Sequence, residues 1–425
     1  MPIPLVQKYN VPGPRYTSYP TVPYWDEASF LVAKWKQTLL QSLTESNTAE
    51  GISFYIHLPF CESLCTFCGC HKRITKRHEV KHPYIVAVLK EWQLYCDLFP
   101  EKPIIKEIHL GGGTPTFFSP ENLEQLIKGI LSKAKVAPKY EFSFEGHPNN
   151  TTRIHLQKLY DLGFRRVSFG VQDYAEKVQT AIHRIQPFHN VAKVTFWAKE
   201  IGYTSISHDL IFGLPFQTLD NVIDTIDKTN SLSPDRLAFY SYAHVPWIKG
   251  NGQRGFKDED VPKDDAKRLL YEEGKKIVAQ KGYYEIGMDH FALETDSMYK
   301  AFKEGKLHRN FMGYTASKTK LMIGIGVSSI SDSWYAFVQN EKELEAYYSQ
   351  LELNELPIFR GHVLTQEDLI IRQHILNLMC QFNTSWDNKV CYFDDLPKVL
   401  SQLTEMEKDG LIRLNNNTLT VTEKG

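Results

Sequence analysis

Four cysteines fall within ten residues of one another, and three of them have a spacing suited to redox chemistry. The segment Cys61-Glu62-Ser63-Leu64-Cys65-Thr66-Phe67-Cys68 reads C-x3-C-x2-C. Thiolates grouped this tightly can converge on one face of a cubane 4Fe–4S cluster, each ligating a different iron. Only three fit that face, so the fourth iron is left open. An open iron can take the amine and carboxylate of S-adenosylmethionine (SAM), which sets the sulfonium beside the cluster for one-electron cleavage. The spacing alone also admits a zinc site completed by Cys70 or His71. The other cysteines, Cys96, Cys380 and Cys391, are scattered and read as buried or neutral thiols. A tight cluster of this kind points to metal or redox chemistry rather than to disulfides.

A second motif, Gly111-Gly112-Gly113-Thr114-Pro115-Thr116, comes straight off an apolar run. Three glycines let a backbone approach a ligand closely and offer its N–H groups to a carboxylate; a lone triplet of this kind is also a simple turn. Polar residues recur at the ends of further apolar runs: Glu145, Gln172, Asp209 and the pair Ala243-His244. In β/α folds the carboxyl ends of the strands form the functional rim. Past the cysteines, Lys72, Arg73, Lys76, Arg77 and Lys81 make a basic run. It reads equally as a dock for an anionic ligand and as a solvated loop.

The elements that must carry these residues are legible from periodicity. The first fifty residues are proline-rich and irregular, an arm followed by a helix near Phe30–Leu43. β-rich runs then span Ile52–Leu58, Ile104–Leu110, Tyr140–Glu145, Arg165–Val171, Ser205–Ile211 and Arg236–Tyr242. Helical patterns separate them; one carries Leu123, Leu126, Ile127, Ile130 and Leu131 on one face, with Ser119 placed to cap and Pro120 at the first helical position. Six strands alternating with helices predict parallel β/α units, either an open doubly wound sheet or a partial barrel. Leu321–Ile330 reads as one more buried strand. Helices near Glu367–Cys380 and Leu396–Lys408, then a hairpin around Asn415-Asn416-Asn417, predict a winged-helix-like module. The expected units are residues 1–50, 51–345 and 346–425.

Composition narrows the function classes. The chain has 425 residues, 23% of them charged, and a formal net charge of −1, which gives no reason to expect nucleic acid or an anionic membrane as partner. No run approaches the roughly 18 uninterrupted apolar residues of a membrane span, and the N-terminus lacks a signal-peptide core. A soluble, cytoplasmic protein is expected.

Several long motifs in one order resemble the oxygen-independent coproporphyrinogen III oxidase family, radical SAM enzymes of haem biosynthesis. They are Gly13-Pro14-Arg15-Tyr16-Thr17-Ser18-Tyr19-Pro20-Thr21, Tyr55-Ile56-His57-Leu58-Pro59-Phe60 leading into the cysteine loop, and the glycine motif. Beyond these lie Gly170-Val171-Gln172-Asp173, Asp209-Leu210-Ile211-Phe212-Gly213-Leu214-Pro215, Gly287-Met288-Asp289-His290-Phe291 and His308-Arg309-Asn310-Phe311. The resemblance implies an α/β fold, a partial (β/α)6 barrel, with a 4Fe–4S cluster on Cys61, Cys65 and Cys68 and two SAM molecules beside it. Tyr55, Gly112, Glu145 and Ile330 match positions contacting the cluster-bound SAM; Phe67, Gly113, Thr114, Gln172, Arg184, Asp209 and Ala243 match those around the second. Tyr55, Glu145 and Cys70 are the residues it places in the chemistry. A carboxylate such as Asp209 suits ribose hydroxyls, and Arg184 suits a methionine carboxylate through a bidentate pair.

The implied reaction is oxidative decarboxylation of two propionates of coproporphyrinogen III to vinyl groups, giving protoporphyrinogen IX. A hydrogen leaves the propionate β-carbon, then carbon dioxide and one electron follow. The implied partners are the tetrapyrrole, an electron donor such as flavodoxin or ferredoxin and an electron acceptor, with the chain acting as a monomer. A haem chaperone of the same superfamily and an anaerobic haem-degrading enzyme are the rival readings; chaperone relatives usually lack both Cys70 and the arm motif. This sequence departs from the family pattern at Gly146-His147, where an acidic residue is usual before the proline, and at Met312 and Ala316, where Gln and Thr are common. The resemblance also implies about thirty further residues beyond Gly425.

Overall fold

The six parallel strands are each apolar on one face and polar on the other. They span Ile52–Leu58 (β1), Ile104–Gly112 (β2), Lys135–Gly146 (β3), Phe164–Gln172 (β4), Ser205–Phe212 (β5) and Arg236–Ser241 (β6). Phe54, Ile108, Phe142, Val167, Ile206 and Leu237 represent the apolar face, buried in the layer shared with the helices. The alternate positions carry Tyr55, His109, Ser143, Ser168, Asp209 and Tyr240. Successive side chains point to opposite faces of a strand, so these polar groups share the other side of the sheet. The computed structural model describes residues 4–11, 13, 18–245, 253, 255–387 and 389–425. Pro14, Arg15, Tyr16 and Thr17 of the arm motif lie outside the described residues.

Strands β1 to β6 pair in parallel and in chain order. The helices Lys81–Leu98, Pro120–Leu131, Arg153–Asp161 and Phe188–Ile201 each pack against the next. A doubly wound sheet requires a reversal of strand order; with none across these six strands, the sheet winds one way as a partial barrel. Antiparallel strands flank it: His290–Ala292 and Tyr284–Glu285 beyond β6, and on the other side Ile330–Asp332, Ala336–Asn340 and Ile358–Val363. Ile358–Val363 pairs with Ala336–Asn340, so the sheet runs past the expected boundary at residue 345. After it, helices Gln366–Gln381 and Leu396–Lys408 pack with a three-stranded antiparallel sheet built from Asn383–Ser385, Ile412–Asn415 and Thr418–Val421. Among the described residues no helix is long and apolar enough to cross a membrane.

The expected single strand Leu321–Ile330 is instead two. Met322–Ile325 (β7) runs parallel to β1, and Ile330–Asp332 returns antiparallel to it. The chain reverses between them through Gly326 and Ser328, both at positive φ (97° and 61°). A buried carboxylate fixes this turn, which local periodicity cannot reveal. Glu91, fully buried on the helix Lys81–Leu98, accepts hydrogen bonds from Gly326 N–H (2.8 Å), Asn340 Nδ2 (2.6 Å) and the Tyr347 hydroxyl (2.6 Å). The Tyr84 hydroxyl accepts from Val327 N–H (3.0 Å) and donates to the His57 carbonyl (2.7 Å), which carries the network to the end of β1.

The arm covers an edge. Asp26 and Gly361 exchange backbone hydrogen bonds of 2.9 and 3.0 Å, and Trp25 stacks on Phe337 with ring centroids 5.1 Å apart. The outermost strand thereby loses part of its free pairing surface, a common defence against edge-to-edge association.

Burial pushes the Glu91 carboxyl from its ordinary value of 4.5 up to about 7, against the pull of its three donors. An acid whose folded pKa exceeds its unfolded one binds its proton more tightly when folded, so its contribution to stability falls as pH rises from about 4.5 to about 7. The slope reaches at most about 1.4 kcal/mol per pH unit. Glu91→Gln should therefore lose part of the wild type's pH dependence between pH 5 and 7, read by urea denaturation of the reduced apo-protein. Identical pH slopes in the two proteins would place this ionisation elsewhere.

Candidate active site

The cysteine loop leaves the carboxyl end of β1 and is tied down at both ends. Phe60–Cys61 pairs in parallel with Arg73–Ile74. Thr66 donates through its N–H to Ile182 O (3.1 Å) and through its hydroxyl to Ala181 O (3.2 Å). Phe67 packs into an apolar cluster with Ile182, Ile211, Leu214 and Tyr242, so its ring anchors the loop over the ends of β5 and β6. Cys61 Sγ lies 3.3 Å from Thr114 Oγ1 of the glycine motif. Arg184 spans the gap on the other side, donating to Gly170 O of β4 (2.6 Å) and reaching Cys65 Sγ (3.7 Å). Its Nε is buried and has no partner among the described residues.

The glycine motif works differently from the sequence expectation. β2 continues through Gly112, and the N–H groups of Gly113 and Thr114 donate to Leu58 O (2.8 Å) and Phe60 O (3.0 Å). Those two donors are committed to the loop after β1 and are not offered to a carboxylate. A Cβ on Gly112, at φ 109°, would meet the His57 ring at 2.7 Å, and one on Gly113 would meet Pro59 O at 2.5 Å. The motif therefore seats the cysteine loop against β2. Gln172 closes β4 at φ 68° beside a register shift, and is buried. Asp173 next to it is a structural residue: it accepts from Gln217 Nε2 (2.7 Å), whose Oε1 accepts from Gly213 N–H (2.7 Å).

Below the loop, the polar strand faces enclose a cavity of about 850 Å³, counting the part open to solvent. Glu145, Asp209 and Tyr240 line it towards the carboxyl ends; Arg166, Ser205 and Arg236 line it lower down. The hairpin His308–Asn310 with Gly313–Thr315 closes it, Thr315 Oγ1 donating to the buried Glu107 at 2.7 Å. Met312 lines the cavity, so a thioether stands where family members commonly carry an amide. Inside, His109 Nδ1 lies 2.8 Å from Ser143 Oγ and Nε2 3.4 Å from Glu145 Oε1, and the His109 ring stacks on Tyr55. The Tyr55 hydroxyl lies 2.9 Å from His57 Nδ1. Ser168 donates to Asp209 Oδ1 (2.8 Å), and burial pushes the Asp209 carboxyl up to about 7.

The structure gathers Tyr55, Glu145, Arg184 and Asp209 around this mouth with the cysteine loop. It does not bring Ile330 into the cavity: that side chain is buried with Trp25, Phe337 and Leu364 in a separate cluster. Ala243 is exposed past the end of β6, its carbonyl accepting from Gln253 Nε2 (3.0 Å). His147 caps a local turn, accepting from Asn149 N–H (3.1 Å). His290, part of a motif named above, lines the cavity, and so do His109, Ser143, Ser168 and Tyr240, which were not singled out from the sequence. Their signal was the polar half of each strand's two-residue period, which strand ends alone do not sample.

The donor set fits an iron–sulfur cluster. All seven cysteines are free, and Cys61, Cys65 and Cys68 are half-buried. A hydrogen bond from Cys70 lowers the Cys68 thiol below its ordinary value, with Lys72 and Arg184 adding positive charge against the cost of burial. Burial pushes Cys61 the other way, to about 11, against its contact with Thr114. Among the described residues no three His, Cys, Asp or Glu side chains stand close enough to share one metal ion. Three thiolates on three different irons have no need of that convergence.

A Radical SAM superfamily model matches residues 55–229. The solved coproporphyrinogen III oxidase from Escherichia coli, described as a radical SAM enzyme, superposes with a TM-score of 0.90 at 35% identity, covering 97% of this chain and 94% of that one. Fold and site thus define a radical SAM enzyme, with the 4Fe–4S cluster and SAM that this class uses. Curated oxygen-independent coproporphyrinogen III oxidases are 38% identical in Helicobacter pylori and 37% in Escherichia coli K12, over 98% and 99% of this chain and 92% of each relative. The chain belongs to the oxygen-independent coproporphyrinogen III oxidase family.

If Asp209 and Arg184 hold SAM, removing either should leave iron content intact. Losing one hydrogen bond to a charged group costs about 1.5–3 kcal/mol, roughly ten- to a hundred-and-fiftyfold in affinity. SAM binding to Asp209→Ala and Arg184→Ala, read by equilibrium dialysis, should weaken by that factor. Because the ionised carboxylate prevails only above about 7, wild-type affinity should fall from pH 8 to pH 6, and Asp209→Asn should show no such step. Wild-type affinity in either alanine variant would remove that residue from the site.

Proposed function

We propose that this chain catalyses the oxidative decarboxylation of two propionate side chains of coproporphyrinogen III to vinyl groups, yielding protoporphyrinogen IX. The observation that carries this reading is Arg184, which joins the cysteine loop to β4 above the polar cavity and keeps a buried donor unspent. When bound by Cys61, Cys65 and Cys68, the cluster with SAM supplies a carbon radical able to take hydrogen from an unactivated carbon. Each propionate loses one hydrogen from its β-carbon, then carbon dioxide and one electron, which leaves the substrate for an external acceptor.

The residues of the chain bind, orient and exclude. Arg184 suits the methionine carboxylate, and Asp209, steadied by Ser168, suits ribose hydroxyls. Tyr55 and Glu145 flank the cluster loop with His109 between them. Glu145 would contact the cluster-bound SAM, and the Tyr55 ring holds His109 in place by stacking. The hairpin at the far end covers that end of the cavity, and limiting water there would protect a reactive carbon centre. Cys70 is surplus to a three-thiolate cluster. It is exposed at the rim, and its contact with Cys68 raises its own pKa well above the ordinary thiol value. Its assigned role is in the chemistry or in substrate positioning, as a weak donor or a redox-active thiol.

Anaerobic incubation of the reconstituted protein with dithionite, SAM and coproporphyrinogen III should release two carbon dioxides per protoporphyrinogen. Tight binding of haem with no decarboxylation would instead support a chaperone. Cys70→Ser should retain iron and SAM cleavage to 5′-deoxyadenosine yet lose most vinyl formation. Loss of the cluster in that variant would make Cys70 a ligand, and normal turnover would reduce it to packing.

A further inference from the structure

One exposed segment outside the cavity is bonded directly to the cysteine loop. Arg73–Ile74 pairs with Phe60–Cys61, and the Thr75 N–H donates to the Cys61 carbonyl at 2.8 Å. Lys72 Nζ donates to the carbonyls of Cys68 (2.9 Å) and Cys70 (3.3 Å). Hydrogen-bonded chain therefore runs without interruption from solvent to cluster-loop cysteines. Arg73, Ile74, Lys76 and Arg77 are exposed, Ile74 by 42%. Residues 72–81 carry five Lys or Arg and a single acidic residue, Glu79, in a chain whose formal net charge is −1.

This basic strand lies on the outer side of the barrel. Arg73 pairs at 2.8 Å with Glu345 on the helix Leu344–Glu352, which packs against the helix Lys81–Leu98. His78 stacks on Phe117 in the segment after β2. No residue from 60 to 82 lines the barrel cavity. The cysteine loop is thus approached from two sides. Hydrogen removal needs the substrate carbon in contact from the cavity, whereas an electron needs only a short bonded path from outside.

We propose that the exposed basic strand around Arg73–Arg77 is the docking surface for an acidic, low-potential one-electron carrier protein. The proposal rests on the radical SAM reading above. The carrier is oxidised by one electron and the iron–sulfur group held by Cys61, Cys65 and Cys68 is reduced by one; no covalent bond forms or breaks and no proton leaves this chain. Opposite charge on the two surfaces steers the encounter and sets its orientation, and Ile74 supplies an apolar contact at the centre of the charges.

The test uses a fluorescently labelled flavodoxin of strongly negative net charge as probe, with the anaerobically reconstituted enzyme. In Lys76→Glu/Arg77→Glu its Kd, read by anisotropy at about 50 mM salt, should rise at least about tenfold, and the difference should shrink near 0.5 M salt, where screening shortens to a few ångströms. Lys76→Gln/Arg77→Gln should show a smaller loss. Flavodoxin-driven reduction should slow in parallel, while iron content, dithionite-driven SAM cleavage and the KM for coproporphyrinogen III stay at wild-type values. Equal flavodoxin affinity in all three proteins overturns the proposal. So does a raised coproporphyrinogen KM with flavodoxin affinity intact, which assigns the charges to the tetrapyrrole. Failure of the wild type to cleave SAM with dithionite would count against the radical reading itself, separately from the docking measurement.

Discussion

Every parallel strand of this barrel has one face sealed by helices, and whatever the other face carries must be satisfied inside. Burying a polar group without a partner costs a few kcal/mol, and burying a charge costs more. The interior is accordingly a set of closed accounts between side chains. Glu107 accepts from Ser53 and Thr315, Arg166 pairs with Glu141, and Arg236 donates to Asp296 at 2.7 Å. Lower down, Arg166 Nε stays a buried donor without a partner among the described residues, and polar groups nearer the mouth also have capacity left for a ligand. Arg184 Nε and the second oxygen of Asp209 are the clearest cases.

Two buried carboxylates show how partners separate support from chemistry. Glu91 and Asp209 are both pushed up to about 7 by burial. Glu91 is enclosed by three donors and locks the turn at Gly326 against β1. Asp209 has one donor, Ser168, and faces the cavity at the end of β5. The first arrangement is enclosed on all sides by protein donors and holds structure. The second leaves acceptor capacity where a ribose would sit.

The rim depends on the same economy of backbone. The glycines at the end of β2 let Leu58, Pro59 and Phe60 lie on that strand, so the cysteine loop starts from a fixed position. Arg184 and Phe67 hold its far side, and the paired strand Arg73–Ile74 holds its outer side. A loop fastened on three sides can present thiols to a cluster from within while leaving its outer backbone near solvent.

The sequence by itself determined the chemistry and the winding elements. The C-x3-C-x2-C spacing, the order of the motifs and the period-two and period-three-to-four patterns are local, and local patterns survive in a linear reading. β1 and the helix Leu396–Lys408 have the bounds the pattern implied, and the other five barrel strands differ from it mainly in length. Only the tertiary structure decided the rest. Strand order, which separates a barrel from a doubly wound sheet, depends on which strands pair across the chain. The break of Leu321–Ile330 depends on Glu91, more than two hundred residues earlier. Two of the glycine motif's donors went to the end of β1 and the loop after it rather than to a ligand, and the Ile330 side chain packs in the arm's apolar cluster. The polar lumen that selects His109, Ser143 and Ser168 exists only once six strands stand side by side. Each of these outcomes was set by a partner distant in sequence, whose position no local pattern encodes.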